Sequence, residues 1–340
     1  FMLKLDTEFK KFDGNAKLSN RGTTEIGREL LFASFNGHGL FNADISSGLF
    51  AATAADSGKY KSGGFYSRIG IGDNGASAQV QGSHSTVDIF TSGVALEQQR
   101  DLYSFRLSRF LTRGEPGDTS IWGKFELDTL EVAQDGAPTR EDRLRSIELG
   151  VSTTKRGGST VSRISFEVEQ TLSILGSKQI SFTGPGDVRR PDFTILRLHY
   201  VRSVQLNEAW SFRGDGYAQH AEKVLPSIKR FKVGGNRIGR GFEAAAATGD
   251  RGLGAKLELR RRLSASFGML GTGTAYSYYD LGAAWRNDQG GRESAASAGL
   301  GLTFRGERWL SYLEAAKPLT HADADDNKDV AVFFEMSFQF

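Results

Sequence analysis

The sequence has no cysteine and only 6 prolines among its 340 residues. Without thiols there can be no disulfide framework and no thiolate metal site. No stretch approaches the roughly 18 consecutive apolar residues that a membrane helix requires. A strong charge of one sign is also missing: 43 basic residues against 40 acidic ones leave a net +3, which gives no general case for nucleic acid. The histidines His38, His84, His199, His220 and His321 are scattered without metal-ligand spacing, and no serine sits in a nucleophile elbow. The glycines from Gly70 to Gly75 are followed neither by Lys-Ser or Lys-Thr nor by a helical pattern, so they are not a phosphate-binding loop. Together these absences argue against an enzyme, and neither a metal nor a cofactor is expected.

Glycine and phenylalanine are plentiful, at 42 and 24 residues, supplying turn formers and large lipid-compatible rings. The slightly negative mean hydropathy fits a soluble protein, and it fits a barrel with a water-filled lumen equally well, since half of each strand and all the loops of such a barrel face water. The patterning decides between them. Segments of about ten alternating residues recur to the end of the chain, separated by turn chemistry. Asn74-Gly75 divides Phe65 to Ile71 from Ala76 to Ile89, Gly157-Gly158 divides Leu144 to Thr154 from Thr160 to Leu172, and Gly114 to Gly117 divides Leu102 to Leu111 from Ile121 to Val132. Longer links, such as Gly176 to Asp192 and Arg286 to Ser294, alternate with the short ones, as two unlike rims would produce. The expected fold is all-β: a transmembrane antiparallel β-barrel of about sixteen strands. Closure is obligatory in lipid, where an open sheet edge leaves polar groups unsatisfied.

Alternation also assigns faces. Val332, Phe334, Met336, Phe338 and Phe340 share one face, expected to meet lipid, while Arg197, His199 and Glu148 should point inward. In Tyr276 to Trp285, Asp280 shares a face with Tyr276, Tyr278 and Gly282, opposite Leu281 and Trp285. A mid-strand carboxylate placed this way has to face the lumen, because lipid exposure would be costly.

The stretch from Leu225 to Leu259 breaks the rhythm. From Gly254 it alternates as a strand, but before that Gly234, Gly235, Gly239 and Gly241 interrupt any ladder among Arg230, Lys232, Arg237, Arg240 and Arg251. Long loops of this kind are usually functional. The strands on either side, Trp210 to Ala221 and Leu253 to Leu263, should be antiparallel neighbours.

The pattern Arg230-Phe231-x-x-Gly234-Gly235, then Gly239-Arg240-Gly241-Phe242, then Gly249-Asp250-x-Gly252 resembles the sixth extracellular loop of the two-partner secretion transporters, which share a superfamily with the BamA-type assembly proteins. Tyr279-Asp280-Leu281-Gly282 is similar to the superfamily's aromatic-x-Asp-x-Gly strand motif, and Phe338-Gln339-Phe340 to an outer-membrane assembly signal. One departure is that Ile238 precedes Gly239, whereas the family has Val or Ile directly before the loop arginine.

The resemblance implies that the extracellular loop folds back into the lumen and sets Arg240-Gly241-Phe242 against Asp280, with Gly234, Gly235 and Gly282 completing the motifs. Because a lumen is partly wet, solvent should screen this pair, and Asp280→Ala should resemble Arg240→Ala. It further implies a bacterial outer-membrane transporter for a large unfolded exoprotein, with lipid and the barrel-assembly machinery as its other partners. Residues 1–12 read either as the end of a periplasmic POTRA domain or as the first strand, with the barrel occupying 13–340. The chain opens at Phe1 with no signal peptide, which suggests a fragment or mature piece. Rival readings are a BamA-type assembly factor, a passive diffusion porin and a soluble all-β binding protein.

Overall fold

The computed structural model describes residues 10–40, 43–72, 75–91, 93–181, 187–266, 271–288, 290–320 and 329–340. Its strands are β1 (Phe12–Ser19), β2 (Leu30–His38), β3 (Ile45–Ala54), β4 (Tyr60–Ile71), β5 (Ala76–Thr91), β6 (Val94–Thr112), β7 (Gly117–Gln134), β8 (Ala137–Gly157), β9 (Thr160–Thr171), β10 (Lys178–Ser181) and β11 (Asp187–Arg189). They continue as β12 (Thr194–Gln205), β13 (Trp210–His220), β14 (Phe231–Val233), β15 (Ala247–Gly249), β16 (Arg251–Ser266), β17 (Thr272–Trp285), β18 (Arg292–Arg305), β19 (Trp309–Pro318) and β20 (Ala331–Gln339).

Sixteen of these strands form a closed antiparallel barrel. Each pairs with its neighbours along the chain, and β1 pairs with β20 from Asn15↔Gln339 to Ser19↔Glu335. The exchange Gly14 N to Phe340 O (2.9 Å) and Phe340 N to Gly14 O (3.1 Å) extends that seam by one step. The other four strands are short. β10 and β11 make a hairpin that continues the wall along β8, and β14 and β15 pair only with each other.

Alternation sorts the side chains as the sequence implies. Leu253, Leu257, Leu281, Leu300, Met336 and Phe338 are exposed on the outer face, whereas Glu148, Glu258, Asp280, Ser297 and Glu314 are buried on the inner one. An apolar exterior around charged inner residues is the arrangement that a bilayer selects.

Several boundaries differ from the pattern-based expectation. β6, β7 and β8 run to 19, 18 and 21 residues. That is about twice the 9–11 residues needed to cross a bilayer, so these strands project beyond it. The alternation of short turns with long links fails there: only residues 92–93 join β5 to β6 and 135–136 join β7 to β8, because the strands themselves supply the height. The stretch judged unable to form strand contains β14 and β15. Phe231 and Val233 stand just ahead of the glycines, and three residues suffice to pair with Ala247 to Gly249. Most of the 1–12 segment, together with Asn74 and His321, lies outside the described residues.

The predicted neighbours around the long loop do pair, from Trp210↔Arg261 to Gln219↔Gly252. Among the sixteen barrel strands the seam is the shortest junction, and Phe340 supplies two of its hydrogen bonds. Deleting Phe340 should lower the folded, heat-modifiable fraction on a semi-native gel. An unchanged fraction would show that the seam closes without it.

Candidate functional site

The segment between β13 and β16 covers residues 221–250 and is knotted at its base. Asp250, fully buried, accepts hydrogen bonds from the backbone N–H groups of Leu225 and Asn287, each at 2.7 Å. The Asn287 amide in turn donates to the carbonyls of Ala221, Glu222 and Lys223. The loop's beginning, its end and the adjacent β17–β18 link are thereby tied by two side chains.

Beyond a single 3-10 turn at Ser227–Lys229, the β14–β15 ladder carries Phe231 and Val233 into an apolar cluster with Ile238, Phe242, Ala247, Ala284 and Ala295. The chain reverses through Gly234, Gly235 and Gly239, all at positive φ (107°, 80° and 80°), which an L side chain resists. Gly234 N–H donates to the Ile238 carbonyl at 2.8 Å, and Gly235 N–H to the Phe242 carbonyl at 3.0 Å. The glycine run therefore forms a tight hydrogen-bonded turn that presents Arg240.

Arg240 meets the inner wall on three strands. Its Nε and Nη2 donate to the two oxygens of Asp280 on β17, at 2.8 and 2.9 Å, in a bidentate fork, and its backbone N–H reaches the same carboxylate at 3.2 Å. Nη1 donates to Glu258 on β16 at 2.7 Å and to Glu314 on β19 at 3.2 Å. The guanidinium lies 3.5 Å from the centre of the Tyr278 ring, a cation–π contact. Burial disfavours the charge on Arg240, but its hydrogen bond to Asp280 and the charges of Asp280, Glu314 and Glu258 outweigh that. The guanidinium pKa is raised as a result.

Gly282 and Gly241 are explained by close approach. A Cβ on Gly282 would stand 2.8 Å from Val233 and 3.1 Å from Ile238, and one on Gly241 would stand 2.9 Å from Ser297 Cβ and 3.0 Å from Pro318 N. Ile238, one place earlier than the family's aliphatic residue, is fully buried against this wall. Phe338 and Phe340 are remote from the site, on the outer face, with ring centres 6.4 Å apart.

One expectation needs correction. The pair is not wet: Arg240 is 3% exposed and Asp280 0%, because the apolar cluster and the wall seal it. Asp280 is the one acid of its own strand, and Glu258 on β16 and Glu314 on β19 share the guanidinium with it. Both were accessible to the argument that found Asp280, a mid-strand carboxylate beside an outward leucine (Leu257 or Leu313), but their strands carry no recognisable motif. Beyond Arg240, Glu258 keeps Arg260 and Lys256 as partners, and Glu314 keeps Arg21.

Removing one member of a buried ion pair costs about 3–5 kcal/mol. Arg240→Ala should reach that range, since it strands Asp280 opposite two further acids. Asp280→Ala should cost less, because Arg240 retains Glu258 and Glu314. Unfolding of the refolded barrel in detergent, read by loss of the compact gel band, tests the order. Equal effects, or additive effects in the double-mutant cycle, would refute the shared-site account.

No curated protein matches the sequence significantly. Among solved structures it is similar to CdiB from Escherichia coli, at 17% identity and a TM-score of 0.84, with 98% of this chain and 64% of that one covered. CdiB from Acinetobacter baumannii gives 17% identity and a TM-score of 0.75, covering 98% of this chain and 60% of that one. BamA from Haemophilus ducreyi lacking POTRA domains 1-3 gives 13% and 0.69, covering 98% and 71%. These likenesses show the fold, and the chain spans less than two thirds of the length of either CdiB structure. The sequence itself matches the family described as haemolysin secretion/activation protein ShlB/FhaC/HecB over residues 3–304, and the chain belongs to that family of outer-membrane barrels.

Proposed function

We propose that the chain is the membrane barrel of a two-partner secretion transporter, passing a large unfolded exoprotein across the bacterial outer membrane. The observation that carries this reading is the family match across most of the chain. The geometry supports it: a closed wall with an apolar exterior, an inner face lined by paired charges, and the 221–250 loop seated against that inner face by Arg240, Gly241 and Phe242. An unfolded polypeptide needs such a polar conduit, because its own backbone groups cannot cross hydrocarbon unpaired. No nucleoside triphosphate is available outside the inner membrane, so folding of the exoprotein as it emerges would supply the driving force.

In this reading the loop is the lumenal element, Arg240 with Asp280 its lock, and Gly234, Gly235 and Gly282 the residues that let it seat. Phe338 and Phe340 act earlier, as the strand end that the barrel-assembly machinery engages before lipid surrounds the outer face. A BamA-type role shares the barrel, and the family match is what favours secretion over it.

Deleting the gene should remove one large protein from the culture supernatant, and the unaltered gene should restore it. Arg240→Ala should restore much less while remaining inserted and heat-modifiable. A passive porin predicts an unchanged supernatant in both cases, and that result would overturn the proposal.

A further inference from the structure

Besides the ties at its base and the Arg240 contacts, the loop is held to a further sector of the wall. Lys229 ends the 3-10 turn at Ser227–Lys229, and its side chain is 7% exposed. Its Nζ donates to Glu126 on β7 at 2.6 Å and forms an ion pair with Glu169 on β9 at 2.7 Å, with Asp128 at 3.9 Å. Its carbonyl accepts from the Gln219 side chain on β13 at 3.0 Å. Burial lowers the pKa of the amine, but the Glu169 and Glu126 carboxylates outweigh it and hold the pKa above the ordinary value. Lys229 therefore remains a cation in a site that water scarcely reaches.

The positions of the two anchors decide what this does. The Lys229 ammonium is bound to β7 and β9, whereas the Arg240 guanidinium is bound to β16, β17 and β19, and β12 and β13 stand between the two groups in the wall. The eleven-residue step from Lys229 to Arg240 could reach about 36–40 Å if extended. It is instead folded into the β14–β15 ladder and the glycine turn. A loop fixed at one end could swing about that end, whereas one fixed to two sectors is held across them as a strap.

We propose that Lys229 is a positioning residue, a second anchor that holds the loop's base to the β7–β9 sector and so sets how much of the bore the loop obstructs, independently of the Arg240 lock. This rests on the reading of the loop as the lumenal element of a secretion barrel. The neighbouring acids do not depend on Lys229 for their own neutralisation. Glu169 keeps Arg197 at 2.8 Å, Asp128 keeps Arg100 at 2.8 Å and Glu126 keeps Lys124 at 3.1 Å. Loss of the Lys229 ammonium thus releases the loop from β7 and β9 without leaving these carboxylates unpaired, and the barrel should still fold.

Single-channel recording in planar bilayers, with potassium chloride as the probe, tests this without any exoprotein. Lys229→Met should fold to the heat-modifiable form and raise mean conductance or its fluctuation severalfold. Lys229→Arg should return it towards the unaltered value, which a purely packing role would not require. Glu126→Gln with Glu169→Gln removes the charge pairing from the wall side and should shift conductance in the direction of Lys229→Met, so this pair carries the test if Lys229→Met fails to fold. Lys229→Met combined with Arg240→Ala should exceed either change alone. Conductance unchanged in Lys229→Met, or in the Gln pair where Lys229→Met does not fold, would overturn the proposal, as would a double variant no different from Arg240→Ala. If conductance responds as expected but the supernatant loses no protein on gene deletion, the anchor stands and the secretion reading falls.

Discussion

A polypeptide wall in hydrocarbon has no water to satisfy its backbone, and everything else in this protein follows from meeting that constraint. Closure between β1 and β20 supplies the last ladder, and it turns one face of every strand outward to lipid and the other inward. The inward face can then hold charge that no bilayer would accept, provided the charges are paired. On the inner wall Glu126, Glu148, Glu169, Glu258, Asp280 and Glu314, from β7, β8, β9, β16, β17 and β19, each lie within ion-pair distance of a cation. The loop adds two of those cations, so it takes part in neutralising the wall it leans on.

The two loop cations differ in kind because their sites differ. Arg240 faces three carboxylates from three strands, and a planar fork can give Asp280 two parallel hydrogen bonds while a third nitrogen serves Glu258 and Glu314. Stacking on Tyr278 uses the face that the fork leaves free. Lys229 sits between two acids on alternate strands, where a compact ammonium at the end of a flexible stem is sufficient. Lysine in place of Arg240 would lose the fork and with it the fixed orientation of the tip.

Much of this was legible in the sequence because barrel strands announce themselves by period two, and because a carboxylate opposite leucine has one tolerable direction to point. Asp280, Glu148 and Arg197 were placed by that rule alone. The loop motif was legible as glycines around one arginine, although its partner Glu314 comes from β19, 74 residues along the chain, and no local pattern marks the pairing. Lys229 was invisible for a different reason. It lies in irregular chain, where neither period nor spacing tells a buried cation from a solvated one, and only the fold brings it to Glu126, 103 residues away. The overlong β6 to β8 were under-read because alternation weakens where strands leave the bilayer and polar residues become acceptable on both faces.

The wall is shaped for the loop as closely as the loop for the wall. Gly252, Gly254 and Gly282 lie where Phe231, Ile238 and Val233 press inward, and a Cβ on these glycines would come within 2.0, 2.4 and 2.8 Å of those side chains. Glycine weakens a strand by roughly 0.5–1 kcal/mol relative to alanine, so these positions are costly to the wall itself. The seated loop returns that cost by burying Phe231, Val233 and Ile238, each contributing about 1.5–3 kcal/mol when taken from water. Any state that withdraws the loop exposes these three side chains, leaves the gaps they filled and separates Arg240 from its carboxylates. Seating is thus the state in which these contacts are met, and in the proposed function passage of a chain would have either to proceed beside the seated loop or to replace the contacts it gives up.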